Sequence, residues 1–246
     1  MQLKLIVKVI FFELFLTSVM SRVSVINSNR VDFDKRIDWS LLGESARICF
    51  DHLGYNPTDD EILERCDGAE VLVSKEISLS EELVSRLPDT VKLICEAGTG
   101  YNNIALNACR KRGILVANVP SYSEGAVASL VITSILNFSC GFLQQQKELW
   151  QGDRSNFCKG LPAKTHFEVE GKTLGLIGGR GNIGNRVTAT ALSLGMKVLI
   201  STRSLTDVTE QYGVQYTDSV DTLLQSSDFV SIHCPLNVEV NDLKLD

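Results

Sequence analysis

Residues 172–202 constrain the fold of this chain more than any other part of its sequence. Residues 173–178 are apolar and predict a buried strand, and a glycine-rich turn follows them. A helix is predicted from about residue 182 to residue 194, where Gly195 ends it, and residues 197–202 predict a second strand. A strand, a helix and a strand in this order form a βαβ unit, which belongs to a parallel sheet.

The glycine-rich turn fits the pattern Gly-x-Gly-x-x-Gly. Its six residues are Gly179, Arg180, Gly181, Asn182, Ile183 and Gly184. The three glycines of this pattern allow, in order, a tight turn, a close approach of the backbone to a pyrophosphate, and close packing of the helix on the strand. The helix N-terminus adds amides and a partial positive charge. Because the turn lies between a strand and a helix, it predicts a dinucleotide site.

The end of the second strand bears on the choice of dinucleotide. A carboxylate there would bind the ribose 2′-hydroxyl of NAD. This chain instead has Thr202, Arg203 and Ser204. Arg203 could pair with a 2′-phosphate, with the two hydroxyls as neutral donors. The sequence therefore favours NADP over NAD, and NAD remains the alternative.

The first half of the chain also alternates between strands and helices. Strands are predicted at residues 24–27, 70–74, 91–95 and 113–119. Helices are predicted to begin after three cap residues, which are Asp38, Thr58 (with Glu61 completing a capping box) and Ser80. The alternation predicts an α/β protein with a parallel sheet covered on both faces.

A long helix is predicted from Ser123 to about Glu148, as a hinge between two domains of residues 21–122 and 123–246. Five residues are expected on its buried face: Val127, Leu130, Val131, Ile135 and Phe138. Residues 150–163 predict a surface excursion. A short helix from residue 221 and a strand at 228–233 follow later in the chain.

Residues 1–20 are apolar, with Lys4 and Lys8 near the start. They suit either a targeting segment or a non-native extension ahead of the folded protein, because Glu13 interrupts the apolar run and no clear cleavage site follows. We expect no other segment to enter a membrane, since none has about 20 consecutive apolar residues.

Charge and cysteine content exclude some classes of protein. The net charge of −6 argues against a nucleic-acid binder, because no strong positive field is present to gather phosphates. The seven cysteines are odd in number and form no CxxC, which suggests reduced thiols in a cytoplasmic setting and no metal site.

Four segments together resemble the D-isomer-specific 2-hydroxyacid dehydrogenases, and within them the glycerate dehydrogenases (hydroxypyruvate or glyoxylate reductases). The segments are the glycine-rich turn and residues 96–104, 113–123 and 231–236. The resemblance implies a flavodoxin-like substrate domain and a partial Rossmann domain. It also implies NAD(P)H-dependent reduction of a small 2-keto acid and a homodimer formed through about residues 123–170. A related oxidiser of formate or phosphite is the alternative substrate class.

The resemblance also implies roles for particular residues. The backbone amides of Thr99 and Gly100 would hold the substrate carboxylate, which suits two donors in a glycine turn. Cys234 and Pro235 would line the cofactor, whereas His233 would have no part in proton transfer. His52 and His166 match no motif of the family.

The chain departs from the family at two further points. It has one additional residue between Leu174 and Gly181, so we expect the loop to bulge, and the role of each glycine is open by one position. The family's catalytic arginine, glutamate and histidine follow the segment that ends at Leu236, and residues 237–246 do not supply them. We therefore expect a truncated reductase, with strand 228–233 as an exposed sheet edge. The alternative is an inactive dinucleotide-binding fragment that acts as an interaction or regulatory subunit.

Overall fold

The computed structural model describes residues 22–44, 46–154, 166–203, 205 and 212–234. The chain separates into two units, with the division between Tyr122 and Ser123. Each unit contains a parallel sheet with helices between its strands, so the predicted α/β class is confirmed. The segment 1–20 and most of the excursion at 150–163 lie outside the described residues.

The first unit contains a five-stranded sheet in which every pair of neighbours is parallel. Its strands are β1 (Val23–Val25), β2 (Arg47–Ile48), β3 (Val71–Ser74), β4 (Leu93–Glu96) and β5 (Leu115–Ala117). The spatial order β2-β1-β3-β4-β5 is that of the flavodoxin-like folds. The predicted flavodoxin-like sheet is therefore observed, with β2 as a short strand that no sequence pattern indicated.

The helices of this unit begin largely where their caps predict. They are α1 (Ser28–Val31), α2 (Asp59–Arg65), α3 (Glu81–Arg86) and α4 (Leu106–Lys111). Thr58 and Glu61 form the predicted capping box, and the Ser80 hydroxyl accepts a hydrogen bond from the amide of Leu83. Asp38 caps only a single 3₁₀ turn, Trp39–Leu42, so the longer helix expected there is wrong. Helix α4 was not predicted, because Ala105 precedes it and offers no side-chain cap.

The core of the first unit lies on both faces of its sheet. Side chains alternate along each strand, so Leu72 and Ile94 pack with one cluster while Val73 and Cys95 pack with another. Strands β3 and β4 are buried along their whole length. Burial on both faces explains why these strands are nearly continuous runs of apolar residues.

The second unit contains a four-stranded parallel sheet among the described residues. Its strands are β6 (Thr173–Ile177), β7 (Lys197–Ser201), β8 (Val214–Thr217) and β9 (Phe229–Ile232), and its helices are α5 (Glu124–Cys140), α6 (Phe142–Trp150), α7 (Asn182–Ser193) and α8 (Val220–Ser226). The spatial order is β8-β7-β6-β9. This is the order 3-2-1-4 found in the dinucleotide-binding folds, and β8 was not predicted.

The long helix predicted from Ser123 to Glu148 is broken. Gly141 has φ of +62° and separates α5 from α6, which are inclined at 66°. Glycine adopts this left-handed conformation without the steric cost that a Cβ imposes, so it ends α5 here. No single helix in the described ranges is long and apolar enough to cross a membrane; α5 and α6 reach that length and composition only when taken together.

The buried face of α5 also differs from the predicted one. The buried residues are Ala128, Ile132, Ile135 and Ser139, while Leu130 and Phe138 are 67% and 61% exposed. Ala128, Ile132 and Ile135 share a core cluster with Val187 of α7. Because α5 is apolar around most of its circumference, the helical period alone did not identify the face that packs.

Candidate functional site

The turn after β6 reverses the chain at Gly178. Gly178 has φ of +79°, and a Cβ on it would lie 2.6 Å from the amide nitrogen of Cys234, which follows β9. Both observations require glycine at this position. Gly178, and not Gly179 as the sequence pattern predicted, is therefore the glycine that allows the tight turn. The β6 ladder runs without interruption from Thr173 to Ile177, so the additional residue lies in the turn and produces no bulge in the strand.

The other two glycines set the distance between the turn and α7. A Cβ on Gly184 would lie 2.5 Å from the Gly179 carbonyl carbon, so the first turn of α7 packs directly on the backbone of Gly179. Gly181 is the N-cap of α7, and the nearest atom to a Cβ there would be the Gly178 carbonyl oxygen at 3.6 Å. Gly184 thus has the packing role that the sequence predicted, and a methyl group at Gly181 would make only an ordinary van der Waals contact. The amides in the first turn of a helix have no intrahelical acceptors, so Asn182 and Ile183 present donors there.

Thr202 and Arg203 follow β7, next to this turn. The Thr202 amide donates to the Thr217 carbonyl at 2.9 Å, which fixes the backbone at the end of β7. The Arg180 guanidinium lies 3.5 Å from the Thr202 hydroxyl, so a cation of the glycine turn reaches the end of the neighbouring strand. Ser204 and Pro235 lie outside the described residues.

His233 and Cys234 follow β9, on the other side of β6. The His233 amide donates to the Ile177 carbonyl at 2.7 Å, and the His233 ring lies 3.0 Å from the Ser231 hydroxyl. Burial lowers the pKa of His233, so its neutral form is favoured. Cys234 is half-buried, and its side chain packs against the small cluster of Ile177, Leu199 and Leu223.

In the first unit, Thr99 and Gly100 lie in an exposed turn after β4. The Thr99 hydroxyl donates to the Val119 carbonyl at 2.9 Å, and the Asn118 amide group donates to the Thr99 carbonyl at 2.8 Å. Among the described residues, no group accepts a hydrogen bond from the backbone amides of Thr99 or Gly100. The turn is thus held through its oxygen atoms and leaves two donors for a ligand.

A buried carboxylate lies directly before this turn and is held by several hydrogen bonds. Glu96 is the last residue of β4 and is only 1% exposed. It accepts hydrogen bonds from the Ser74 hydroxyl at 3.2 Å, the Glu76 amide at 3.0 Å and the Asn103 side chain at 3.0 Å. These three donors compensate for the burial of the charge. Glu96 therefore connects the residues that follow β3 with those that follow β4.

The residues after β3 are held in a strained conformation. Glu76 has φ of +55°, a conformation rarely adopted by residues other than glycine. Buried Asn27 clamps Lys75 by donating to its carbonyl at 2.7 Å and accepting from its amide at 3.0 Å. Arg30 donates to the Glu76 carbonyl at 3.1 Å. Strain of this kind persists only where surrounding contacts determine the conformation, and such places are often functional sites.

The strained turn carries the ammonium group of Lys75 to the turn after β4. A Cβ on Gly98 would lie 3.0 Å from Lys75 Nζ and 3.1 Å from Glu96 Oε1. Lys75 Nζ also donates to the Tyr122 hydroxyl at 3.1 Å and lies 3.0 Å from Glu76 Oε1. The side chain of Lys75 is only 15% exposed. No sequence pattern indicated Lys75 or Glu96, although each lies at the carboxyl end of a buried strand, where α/β proteins place ligands.

Metal ions and reactive cysteine thiols are two further bases for a functional site. No group of three or more histidine, cysteine, aspartate or glutamate side chains suitable for a metal ion occurs among the described residues. The cysteines that the structure describes carry free thiols, and burial raises the pKa of Cys66 to about 12. The buried Cys66 thiol is therefore an unreactive structural residue.

The folds of the two units together are typical of one class of protein. One unit has a flavodoxin-like sheet with a polar site at its carboxyl edge, and the other has the strand order and glycine turn of a dinucleotide-binding fold. A sequence model described as "D-isomer specific 2-hydroxyacid dehydrogenase, catalytic domain" matches residues 31–227. The chain therefore belongs to the D-isomer-specific 2-hydroxyacid dehydrogenase family.

The chain is also similar in sequence to individual proteins of this family. A hydroxypyruvate reductase of Thermotoga maritima is 33% identical over 78% of this chain and 59% of its own length. A glycerate dehydrogenase of Methylorubrum extorquens is 30% identical over 76% of this chain and 56% of its own length. A D-3-phosphoglycerate dehydrogenase of Methanocaldococcus jannaschii is 34% identical over 73% of this chain and 33% of its own length. The chain thus spans between a third and about three fifths of the length of these relatives.

Solved structures show the same architecture. The D-lactate dehydrogenase of Aquifex aeolicus, solved with NAD and lactic acid, superposes with a TM-score of 0.70 at 29% identity. The match covers 88% of this chain and 62% of that protein. A glyoxylate reductase from Paecilomyes thermophila, at 24% identity and a TM-score of 0.69 over 91% of this chain and 68% of that protein, shares the fold.

Proposed function

We propose that this chain is the substrate- and dinucleotide-binding part of an oxidoreductase that reduces a small 2-keto acid, such as hydroxypyruvate or glyoxylate, with NAD(P)H. The observation that carries this proposal is the glycine turn of Gly178, Gly181 and Gly184 at the N-terminus of α7, where the chain reverses closely beside Cys234 and α7 packs on the turn. Membership of the family and relatives named hydroxypyruvate reductase, glycerate dehydrogenase and glyoxylate reductase support the substrate class.

The residues present fit the pyrophosphate of a dinucleotide. Gly184 lets α7 approach the turn, and the first-turn amides of α7 offer donors and a partial positive charge to the phosphates. Asn182 and Ile183 contribute backbone groups there, and Cys234 lines the cofactor on the side of β9, while Pro235 is a further candidate by sequence. When bound, the nicotinamide dinucleotide supplies the hydride; the chain's own part is to hold both reactants and to orient the keto acid.

Gly181 provides a test that separates ligand binding from folding. We expect Gly181→Ala to leave stability within about 0.5 kcal/mol of the wild type, because the new methyl group meets no close neighbour. The methyl group should nevertheless obstruct the pyrophosphate and weaken NADPH binding at least about tenfold. Fluorescence titration with NADPH measures the affinity, and urea unfolding checks the fold. Unchanged NADPH affinity would contradict the proposed site.

Turnover tests the chemistry itself. NADPH oxidation with hydroxypyruvate or glyoxylate supports the reductase. Because residues 237–246 do not supply the family's catalytic arginine, glutamate and histidine, the assay uses a chimera that adds the C-terminal segment of a relative. NADPH binding by the chimera without consumption of any 2-keto acid would overturn the reductase and favour a chain that only binds the dinucleotide, as an interaction or regulatory subunit. Oxidation of formate or phosphite with NAD would instead assign the other substrate class.

We propose NADP rather than NAD as the preferred cofactor. No carboxylate follows β7 at Thr202 and Arg203, and Arg180 reaches the Thr202 hydroxyl, so the 2′-phosphate would meet cations and neutral donors. Ser204 is a further candidate by sequence.

Arg203→Gln should weaken NADPH binding about tenfold or more and leave NADH binding unchanged. Lys197→Gln, at the opposite end of β7, is the matched control. Equal losses for both cofactors would argue against a 2′-phosphate contact.

We also propose a homodimer formed through α5, α6 and the segment up to about residue 170. Large apolar side chains are exposed on these helices, including Phe142, Leu143 and Trp150, which is 83% exposed. Trp150→Glu combined with Leu143→Glu should shift the protein to monomer in analytical ultracentrifugation. Tyr212→Glu, at an exposed position in the same unit, should not.

We place the protein in the cytoplasm, as its free thiols favour a reducing compartment. An organelle or the secretory pathway is the alternative if residues 1–20 act as a targeting signal. Imaging of fluorescent fusions with and without these residues distinguishes the two.

A further inference from the structure

We infer that the Lys75 ammonium group and the backbone amides of Thr99 and Gly100 form one anion-binding site, in which Lys75 supplies the positive charge that selects a carboxylate substrate and Glu76 is the counter-ion that the substrate displaces. This inference rests on the proposed function and adds a specificity-determining residue to it.

The first argument is the proximity of the ammonium group to the turn. Lys75 Nζ would lie 3.0 Å from a Cβ on Gly98, the residue directly before Thr99. A side chain at position 98 would therefore require the ammonium group to move away from the turn by a few tenths of an ångström. Glycine at this position serves the approach of Lys75 to the backbone of the turn, since Gly98 has no left-handed φ that would require it.

The second argument is that donors remain for a ligand. A lysine ammonium has three N–H donors. Tyr122 and Glu76 engage two of them, which leaves one without a partner in the described part of the chain. The amides of Thr99 and Gly100 likewise have no acceptor there, and both residues are exposed. Adjacent amides in a turn and a neighbouring cation together suit the two oxygens of a carboxylate.

The third argument concerns the two anions near Lys75. Glu96 is buried and its two oxygens are occupied by Ser74, Glu76 and Asn103, so it cannot leave. The side chain of Glu76 is 65% exposed, and its other oxygen lies 3.7 Å from the Arg30 guanidinium, so a Glu76 carboxylate that leaves Lys75 keeps a cation and water beside it. A substrate carboxylate can therefore replace the Glu76 carboxylate without leaving a buried charge unpaired.

The fourth argument is the charge state of Lys75. Burial disfavours the ammonium form, but the hydrogen bonds to Glu76 and Tyr122 outweigh burial and raise the pKa of Lys75. Tyr122 also presents its ring to the ammonium group, with the centroid 5.7 Å from Nζ. Lys75 is therefore a permanent cation at neutral pH and acts by binding, not by proton transfer.

The test compares a carboxylate ligand with its neutral ester. Oxamate is titrated into the full chain labelled with ¹⁵N, and the Thr99 and Gly100 amide resonances report binding; ethyl oxamate is the neutral probe. We expect Lys75→Met to weaken oxamate binding about 10- to 100-fold and to leave ethyl oxamate binding unchanged. Lys75→Arg, which keeps the charge, should restore part of the affinity. Glu76→Gln should strengthen oxamate binding about twofold or more, because the competing anion is removed.

Lys111→Met is the matched control, since Lys111 also lies 3.0 Å from a glutamate oxygen, that of Glu81, but on the exposed surface. It should leave oxamate binding unchanged. Urea unfolding confirms that each variant is folded. Wild-type affinity for oxamate in Lys75→Met, equal losses for oxamate and ethyl oxamate, or no response of Thr99 and Gly100 to oxamate in the wild type would each overturn the inference.

The binding measurement is independent of catalysis. If the wild type binds oxamate through Lys75 but the chimera with the catalytic segment of a relative oxidises no NADPH with a 2-keto acid, the proposed reductase fails and the anion site stands. If keto acids are reduced and Lys75→Met changes neither KM for the acid nor oxamate binding, the reductase stands and the role of Lys75 fails.

Discussion

The turn after β6 and the turn after β4 occupy equivalent places in two parallel sheets, but different forces shape them. The β6 turn is shaped by backbone packing, in which Gly178 approaches Cys234 and Gly184 approaches Gly179. The β4 turn is shaped by the buried side chain of Glu96, which receives three hydrogen bonds. Both arrangements leave amides free for an anion, so a parallel sheet can produce an anion site at its carboxyl edge either by omitting side chains or by burying a charged one.

The difference predicts different sensitivities to substitution. A turn shaped by glycines should be damaged by any added atom at the close contacts and be insensitive to charge. A turn shaped by a buried carboxylate should be damaged by loss of charge even when the shape of the side chain is kept.

The largest effect is expected for Gly184→Val. The added atoms would meet the backbone of Gly179, which cannot move without displacing β6, so the variant should lose about 3 kcal/mol in the free energy of unfolding. Urea unfolding followed by circular dichroism measures the loss. Gly181→Ala provides the contrast, because its methyl group would make only an ordinary van der Waals contact in the same loop. Wild-type stability in Gly184→Val would show that α7 does not pack on the turn.

A smaller loss is expected for Glu96→Gln. The amide keeps the size of the side chain but replaces one accepting oxygen with an NH2 group, which faces the groups of Ser74, Glu76 and Asn103 that already donate. The free energy of unfolding should therefore fall by about 2 kcal/mol. Glu82→Gln, on the exposed face of α3, should change it by less than about 0.5 kcal/mol. Thermal and urea unfolding of the wild type and of the two variants measure these differences in stability. Equal stabilities would mean that the Glu96 charge has no part in shaping the β4 turn.

Acidification should affect the β6 turn through His233, which follows β9 beside Gly178. Burial lowers the pKa of folded His233 below 6.5, so the unfolded chain takes up this proton first. The contribution of His233 to stability is therefore intact above about pH 6.5 and decreases as the pH falls toward the folded pKa. Urea unfolding between pH 7.5 and 5 should show this decrease, and His233→Gln should reduce it. An identical pH dependence in the variant would contradict this.

The smallest effect concerns Glu61, an exposed carboxylate of the first unit that contrasts with Glu96. Hydrogen bonds from the Tyr55 hydroxyl, and then from the Thr58 amide and hydroxyl, lower the pKa of Glu61 to about 2. Its stabilising effect is present above the unfolded pKa of about 4.3 and is lost as the pH falls toward 2. Tyr55→Phe should raise the pKa of Glu61 in a carboxyl NMR titration, with Tyr212→Phe as the unaffected control. No change in the Tyr55→Phe titration would show that the hydroxyl is not the main cause.

The sequence predicted much of the fold because its signals are local. Capped helices such as α2 and α3, the βαβ unit of β6, α7 and β7, and the buried strands β3 and β4 follow from cap residues, glycines and apolar runs within a few positions. The elements that were missed have weak local signals: α4 has no side-chain cap, and β2 and β8 are short or only partly buried.

The sequence by itself determined the α/β class, the dinucleotide turn and the family, because glycines and strand–helix alternation restrict the backbone wherever they occur. Only the tertiary structure decided that Gly178 makes the left-handed turn, which face of α5 packs on α7, and that Lys75 and Glu96 meet at the turn of Thr99 and Gly100. Lys75 and Gly98 are 23 positions apart in the chain, and parallel pairing of β3 with β4 brings them together. Contacts of that kind depend on the register of neighbouring strands, which no single segment of sequence specifies.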